Sequence, residues 1–248
     1  MFDIIIKIFL VIGLILVISV LIIKRFVYFH PSSIFLPYKE YYQDVSKGLL
    51  HGWFLKGSNE YAILYCHGNA GNISHRQYEI DALHNIGYSV LIFDYSGFGQ
   101  SNGIPSEEQL YRDASIFMNI LIEKYDKNNI IIYGESMGAA VGAYIALKYQ
   151  TPILIIDSGL PSIKKFIKSN YKILSFLSFL FKEFDTEKYL SNYNGSVLTM
   201  HSIDDDIIPY NSTSVLRSSA KHHINIKGTH NDREIPWDEV DKFIKKLI

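Results

Sequence analysis

Residues Ile130–Gln150, IIIYGESMGAAVGAYIALKYQ, join two different patterns at one serine. Their first residues form an apolar, β-branched run that is typical of a buried strand. From Met137 onward, small and apolar residues recur at helical spacing. Gly134 and Gly138 flank Ser136, and glycines permit the close backbone approach that a tight strand-to-helix turn requires. The pattern predicts a sharp turn that lifts Ser136 above the end of a sheet.

This joint has two chemical interpretations. In a nucleophile elbow, the start of the following helix faces the serine, and the backbone N–H of Met137 faces any negative charge that forms beside Ser136. In the simpler interpretation, the serine only caps the helix after a glycine turn. The G-x-S-x-G pattern alone occurs often by chance, so the choice depends on whether the chain also supplies a base and an acid.

Strand-like and helix-like segments alternate along most of the chain. In the stretch Glu40–Gly57, apolar and polar residues alternate and glycines interrupt the pattern. This indicates antiparallel strands at the start of a sheet. Short apolar runs follow at 61–66, 88–95, 129–134, 152–157, 196–201 and 223–228, with helical patterns at 73–86, 106–125, 137–149, 210–220 and 236–248. This order predicts an α/β fold, with a mainly parallel sheet covered by helices on both faces. The interval 159–195 is too long for a simple crossover, and we expect a small helical cap inserted there, within a domain that spans residues 31–248.

Composition excludes several classes of protein. The chain has 248 residues, of which 48% are hydrophobic, enough for one compact domain with a sizeable core. The formal net charge is −1, so nothing indicates a nucleic-acid partner. Cys66 is the only cysteine in the sequence, which excludes an intrachain disulfide and a cysteine-based zinc site.

The beginning of the chain predicts a membrane anchor. Residues Ile4–Ile23 are apolar except for Lys7 and Ser19, and about 20 such residues cross a hydrocarbon core of about 30 Å as a helix. A cleaved signal peptide is the alternative, but the bulky, basic sequence KRFVYFHP follows instead of a small-residue cleavage site. We therefore expect a single-pass anchor over residues 1–30. The sequence does not decide which side of the membrane the rest of the chain faces.

A candidate base and a candidate acid follow two of the predicted strands. In a serine hydrolase of this architecture the order along the chain is serine, acid and histidine, each after its own strand. The segment VLTMHSIDDDIIP places the aspartates 204–206 after one strand, and INIKGTHND places His230 after the last one. His230 is therefore the candidate base and one of these aspartates the candidate acid. Asp157, which also ends a predicted strand, is an alternative acid.

With these residues in place, the chain resembles the serine α/β-hydrolase superfamily, and within it the membrane-anchored branch of ABHD13-like and BEM46-like proteins. The segments that carry the resemblance are YCHGNAGNISHR, FDYSGFGQSNGIPSEE, YGESMGAA, HSIDDDIIP and GTHND. The superfamily pattern H-G-x-x-D-x-x-V-P aligns with residues 201–209. This alignment implies Asp205 as the acid and leaves Asp204 and Asp206 as solvated loop residues.

The resemblance also implies an oxyanion hole. Its donors would be the backbone N–H groups of Met137 and Asn69, with Ala70 as an alternative to Asn69. His67, in the same HGNAGN segment, would hold the loop by a hydrogen bond and would not act as a base. One departure from the usual superfamily pattern is Glu135, which stands where an arginine or a histidine is frequent. The resemblance therefore does not imply which ion pairs form around this position.

The implied activity is hydrolysis of an acyl ester or thioester through an acyl-enzyme on Ser136, with His230 as base and Asp205 as acid. No metal or organic cofactor is implied. With a membrane anchor, we expect a small-molecule or lipid ester, or an acylated protein, as substrate. The apolar segment 171–184 of the cap either lines an acyl groove or only packs the cap on the body. The alternative function is a catalytically silent hydrolase fold that serves as a membrane-tethered binding module.

Overall fold

The computed structural model of this protein describes residues 6–7, 10–11, 13–14, 30–31, 43–171, 175, 178–179, 181 and 183–248. Its strands are β1 (His30–Pro31), β2 (Gln43–Lys47), β3 (Leu50–Leu55), β4 (Ala62–Cys66), β5 (Ala70–Gly71), β6 (Ser89–Phe93), β7 (Ile130–Glu135), β8 (Ile153–Asp157), β9 (Ser196–Ser202), β10 (His222–Gly228) and β11 (Arg233–Glu234). The α-helices in this described part are α1 (Gln77–Ile86), α2 (Glu107–Ile122), α3 (Gly138–Tyr149), α4 (Ile163–Asn170), α5 (Thr186–Leu190), α6 (Ser214–Ser219) and α7 (Trp237–Lys245).

Nine of the strands form one sheet in the order β11-β10-β9-β8-β7-β4-β6-β3-β2. The strands from β10 to β6 in this order pair in parallel. The hairpin of β2 and β3 is antiparallel at one edge, and β11 is antiparallel at the other. The predicted α/β fold with a mainly parallel sheet is confirmed. Because the carboxyl ends of parallel strands share one edge, the loops after β4, β7, β9 and β10 meet there.

Helices cover both faces of the sheet, and alternate residues of β7 point to the two faces. Ile130 and Ile132 belong to the apolar cluster that contains the buried residues of α2 and α3. Ile131 and Tyr133 belong to the cluster that contains those of α1 and α7. Each buried isoleucine side chain contributes about 1.5–3 kcal/mol to folding. Burial of both faces explains why β7 is a continuous apolar run instead of an alternating one.

The observed helices begin close to their predicted starts, with differences that have local causes. The helix predicted from residue 106 begins at Glu107, because the Ser106 hydroxyl accepts the N–H of Gln109 and makes Ser106 the cap. The helix predicted over 73–86 begins as a short 3-10 helix, Ile73–Arg76, and continues as α1. The helix predicted over 210–220 likewise begins as a 3-10 helix and continues as α6.

The interval predicted as a cap, residues 159–195, lies between β8 and β9. Its described residues form α4 and α5. The first helix is capped by Ser162, whose side chain accepts the N–H of Lys165. The threonine that begins α5, Thr186, donates its hydroxyl to the Leu160 carbonyl at 2.5 Å. This bond holds the start of α5 close to the end of β8.

The predicted membrane span falls mostly on residues that are not described. Of the stretch 4–23, the structure describes only 6–7, 10–11 and 13–14. Across the described residues of the whole chain, no helix has the length and apolar character needed to cross a bilayer. Farther along, β1 pairs in parallel with β5, with His30 opposite Ala70 and Pro31 opposite Gly71. The chain that follows the predicted span therefore reaches the loop after β4.

Candidate functional site

Ser136 lies at the turn between β7 and α3. Its φ is 53°, in the left-handed region, which costs about 1–3 kcal/mol for a residue other than glycine. The Ser136 N–H donates to the Asp157 carbonyl at 2.9 Å. The Ser136 carbonyl accepts the N–H of Ala139 at 3.1 Å and that of Leu160 at 3.0 Å. These backbone bonds hold the strained turn at the carboxyl edge of the sheet.

The glycines that flank Ser136 are required because neither of their positions has room for a side chain. A Cβ on Gly138 would lie 2.1 Å from the carbonyl oxygen of Cys66 and 2.5 Å from that of His67. A Cβ on Gly134 would lie 2.7 Å from the Cα of Ala139. The first turn of α3 therefore packs directly on the end of β4, which only glycine permits.

The structure brings Ser136, His230 and Asp205 together in one hydrogen-bonded chain. Ser136 Oγ lies 2.9 Å from Nε2 of His230, and Nδ1 of His230 lies 2.8 Å from Oδ2 of Asp205. His230 occupies the loop between β10 and β11, which the pairing of Gly228 with Arg233 closes. With the imidazole proton on Nδ1, the ring donates to Asp205 and accepts from the Ser136 hydroxyl.

Both oxygens of Asp205 have partners. Its Oδ1 accepts the backbone N–H of Ile207 at 3.0 Å and that of Ile208 at 2.6 Å, while Oδ2 faces His230. Burial would raise the pKa of Asp205, but the hydrogen bond and charge of His230, with the Ile208 N–H, hold it below its ordinary value. Asp205 is therefore ionised at neutral pH, as the partner of an imidazole must be.

The two neighbouring aspartates differ from each other. Both are exposed. Oδ1 of Asp206 accepts the backbone N–H of His230 at 3.0 Å, so this side chain ties the histidine loop to the aspartate loop. Asp206 is therefore more than the solvated loop residue that the sequence predicts. At Asp204 it is the backbone N–H that is engaged, donating to Oγ of Ser202 at 3.1 Å.

Asp157, the alternative acid, has other partners. Nε and Nη2 of Arg233 donate to its carboxylate at 2.7 to 3.0 Å, and the Tyr133 hydroxyl donates to it at 2.9 Å. The side chain is fully buried. No hydrogen bond within the described part of the chain joins Asp157 to His230. Asp205, and not Asp157, stands next to the imidazole.

His67 supports the loop after β4. Its ring is fully buried, and Nδ1 donates to the carbonyl of the next residue at 2.7 Å. The Tyr95 hydroxyl donates to the His67 carbonyl at 3.0 Å. Burial and the positive charge of Arg76 lower the pKa of His67 to about 4, so the ring is neutral. This geometry agrees with the structural role that the sequence predicts for His67.

A cavity of about 90 Å³ opens beside Ser136. It is lined by Asn69, Ser136, Met137, Leu160, Ile163, Phe166, Phe184, Ile207 and Ile208. Both residues that the sequence predicts as oxyanion donors, Asn69 and Met137, are in its wall. Ile163 and Phe166 belong to α4, so the predicted cap contributes part of the wall. Among the described residues that line it, none is charged, and apart from Asn69 and Ser136 all are apolar.

Beneath Ser136 lies a set of buried charges that the sequence analysis missed. Glu135, the residue before the serine, forms an ion pair with Arg76, and Asp157 forms one with Arg233. A signal was present in the sequence, because two acids end predicted neighbouring strands and buried charges need partners. The identity of the partners was not, since Arg76 is 59 residues from Glu135 along the chain and Arg233 is 76 residues from Asp157.

The arrangement can activate a hydroxyl group. An imidazole held between a carboxylate and a serine can accept the hydroxyl proton and later return a proton to a leaving group. The apolar cavity beside the serine can hold a carbon chain attached to the atom under attack. These features match the requirements of acyl transfer.

Comparisons with known proteins agree with this fold. Residues 57–199 match the sequence profile of the family described as "Serine aminopeptidase, S33". An uncharacterized protein of Acanthamoeba polyphaga mimivirus is 34% identical over 75% of this chain and 70% of its own length. The lysophosphatidylserine lipase ABHD12 of Danio rerio is 28% identical over 79% of this chain and 57% of its own. Among solved structures, the Pyrococcus furiosus esterase Pf2001 superposes with a TM-score of 0.70 at 18% identity, covering 89% of this chain and 98% of that one.

The close approach of α3 to β4 predicts a large penalty for a single methyl group. Gly138→Ala should lower the free energy of unfolding by about 3 kcal/mol, the upper end of what overpacking costs, because backbone carbonyls cannot move aside. Gly142→Ala is the matched control in the same helix, since its Cβ would meet Cγ2 of Ile132 at 3.1 Å and the Cα of Gly134 at 3.4 Å, and would come no closer than 3.1 Å to any atom. Denaturant unfolding of both variants measures the difference, and equal midpoints would contradict the prediction.

Proposed function

The chain belongs to the serine aminopeptidase S33 family of α/β-hydrolases, and on that basis we propose that it is a serine hydrolase of carboxylic esters or thioesters. The observation that carries the proposal is the unbroken hydrogen-bonded chain from Ser136 through His230 to Asp205. It stands at the carboxyl edge of the sheet, where α/β folds gather their functional groups. The esterase and lipase named among the similar proteins support the same class of reaction.

The reaction follows from the roles of these side chains. Nε2 of His230 accepts the proton of Ser136 Oγ as that oxygen attacks the acyl carbonyl carbon. The resulting imidazolium is stabilised by Asp205 and gives its proton to the leaving oxygen or sulfur as the acyl bond breaks. His230 then takes a proton from water, which attacks the acyl-enzyme. Proton return to Ser136 Oγ releases the acid and restores the site.

The oxyanion of each tetrahedral intermediate needs donors on the far side of the carbonyl. We assign them to the backbone N–H groups of Met137 and Asn69, since both residues line the cavity beside Ser136. The N–H of Met137 comes at the start of α3, where the helix dipole favours negative charge. One such donor is typically worth about 3–4 kcal/mol of the barrier.

An acyl ester or thioester suits the cavity better than a peptide does. An aminopeptidase must hold the charged amino terminus of its substrate, and a carboxylate is the usual partner for such a group. The lining residues within the described part of the chain include no carboxylate. Apolar walls instead favour the hydrocarbon part of an acyl group.

The size of the cavity favours a short acyl chain. An engineered protein cavity of about 150 Å³ admits a benzene molecule. The cavity beside Ser136 is about 90 Å³, which suits an acyl group of about two to four carbons. We propose that Phe166 limits the length of the chain that fits. This side chain is half-buried and belongs to α4, so it is the wall residue best placed to set the length limit.

We also propose that the protein is held on a membrane by residues 4–23. The support is the sequence of this segment, which is apolar except for Lys7 and Ser19, and the same segment supports placement in the ABHD13-like and BEM46-like branch. The pairing of β1 with β5 brings His30 next to Ala70, one residue after Asn69. An extended chain covers at most about 3.5 Å per residue, so the stretch from Ile23 to His30 places His30 within about 25 Å of the span, and Ala70 lies on the neighbouring strand. A lipid ester or an acylated membrane protein would then be within reach.

The serine mechanism predicts how single variants respond. Ser136→Ala should abolish both labelling by a fluorophosphonate probe and turnover of a p-nitrophenyl ester, because Oγ forms the covalent bond. Asp205→Asn should lower turnover about 10⁴-fold, since the asparagine favours the wrong imidazole tautomer. Asp204→Asn, the neighbouring control, should leave turnover nearly unchanged. Turnover by a folded Ser136→Ala protein would contradict the mechanism, and an unmodified protein that neither labels nor turns over would favour the silent binding module.

The cavity predicts a chain-length preference that one side chain controls. Turnover should fall from p-nitrophenyl acetate and butyrate to octanoate, and Phe166→Ala should raise the ratio of octanoate to acetate turnover about tenfold or more. Phe179→Ala is the matched control, because Phe179 is another cap phenylalanine, 60% exposed, and is not among the lining residues. An unmodified protein that prefers octanoate or palmitate would refute the short-chain assignment.

The proposed anchor predicts resistance to extraction. After alkaline carbonate washing of membranes, the full-length protein should stay in the pellet, because an integral span is held by hydrocarbon. The double variant Leu14→Arg/Leu16→Arg should move to the supernatant, since each central arginine costs about 2.5–3.5 kcal/mol in a spanning helix. Leu49→Arg, at an exposed position of the hydrolase domain, is the control and should stay in the pellet. Release of the unmodified protein would disprove the anchor.

A further inference from the structure

Glu135 is a buried acid directly before the serine, and it is held on several sides. Its Oε1 accepts Nη2 of Arg76 at 3.0 Å, and its Oε2 accepts Nε of Arg76 at 3.1 Å. The Tyr65 hydroxyl donates to Oε2 at 3.1 Å. Nη2 of Arg233 lies 3.8 Å from Oε1. The side chain is only 7% exposed, and the two guanidinium charges hold its pKa well below the ordinary value although burial alone would raise it.

Arg76 connects Glu135 to the loop that carries Asn69. Two of its nitrogens form the fork to Glu135, and the third, Nη1, donates to the Ala70 carbonyl at 2.5 Å. The loop also rests on the acid itself, because a Cβ on Gly68 would lie 3.0 Å from Oε1 of Glu135. The residues on both sides of Asn69 are therefore fixed with respect to the residue before the nucleophile.

Arg233 makes the corresponding connection to the loop that carries His230. Its Nη1 donates to the His230 carbonyl at 3.1 Å, while Nε and Nη2 bind Asp157. The backbone carbonyl of Asp157 in turn accepts the N–H of Ser136 at 2.9 Å. Arg76 and Arg233 thus each donate the N–H group that is left over from an ion pair to a loop carbonyl. The two loops lie on either side of Ser136.

From this geometry we propose that Glu135 and Arg76 are positioning residues, which fix the Asn69 N–H relative to Ser136 Oγ. The proposal rests on the proposed serine hydrolase function and deepens it. Neither side chain touches the substrate or the reacting atoms. They act through the Ala70 carbonyl and through Gly68, so that the oxyanion donor is in place before the substrate arrives.

Simple stabilisation is a poor explanation for this set of charges. Replacing a buried ion pair by apolar side chains of similar volume is often neutral or stabilising, so stability does not require a charged pair. A planar guanidinium, however, can hold a carboxylate with two N–H groups and a carbonyl with a third, in one fixed geometry. Lysine keeps the charge but cannot make this three-point contact, so Arg76→Lys separates positioning from charge.

The test compares turnover per titrated site across variants of this pair. The number of competent serines is counted with a fluorophosphonate probe, and kcat and KM are measured with p-nitrophenyl acetate. Arg76→Lys and Glu135→Gln should each lower kcat per labelled serine about 10-fold to 100-fold, the effect of a displacement of about 1 Å near the chemistry. KM should change little, because neither side chain lines the cavity. Arg112→Lys, the same substitution in the exposed pair with Glu108, is the control and should leave kcat unchanged.

A double variant guards against loss of folding. Glu135→Gln leaves Arg76 buried without its partner, whereas Glu135→Gln/Arg76→Gln removes both charges and keeps the balance. If the two residues act as one unit, the double variant should be no slower than the slower single variant. Variants that lower the melting temperature or the number of labelled serines but keep kcat per serine would overturn the proposal. An unmodified protein with no serine that labels would instead refute the serine hydrolase function itself.

Discussion

The site depends on one steric constraint, the contact between the first turn of α3 and the end of β4. A helix can approach a neighbouring strand this closely only where it has no side chain, and Gly138 meets that condition against the Cys66 carbonyl. The approach has three effects at once. It forces Ser136 into the left-handed region, it aims the start of α3 at the serine, and it brings Met137 and Asn69 into the wall of one cavity. A looser joint would separate the nucleophile from the loop across from it.

The buried acids at the carboxyl edge of the sheet have two kinds of partner. Asp205 receives the imidazole, whereas Glu135 and Asp157 receive guanidinium groups. An arginine stays protonated at every physiological pH, so these two acids have a constant environment, while a histidine can change its charge during a reaction. The structure therefore keeps permanent ion pairs beneath the serine and the pair of Asp205 and His230 beside it. Because Glu135 and Asp157 are bound by arginines, they do not compete with Asp205 for the imidazole.

The sequence predicted the parts of this site that depend on local pattern. The β-branched run of β7, the glycines at the turn and the position of His230 after the last long strand can all be seen within short segments. The fold followed because a parallel sheet buried on both faces requires continuous apolar strands. Contacts between distant segments could not be seen in this way. Arg76 and Glu135 are 59 residues apart, and the bond between Asp206 and the His230 N–H depends on the adjacency of β9 and β10.

The order of the site residues along the chain has a consequence during synthesis. Ser136 precedes its histidine by 94 residues, and ribosomes add about 5–20 residues per second. The strand-to-helix turn can therefore form about 5–20 s before the base has been made. Throughout that interval the hydroxyl has no imidazole to accept its proton, so under the proposed mechanism an unfinished chain cannot cleave an acyl ester. Hydrolytic competence arrives late, with the hairpin of β10 and β11, when the sheet that must hold the intermediate is already assembled.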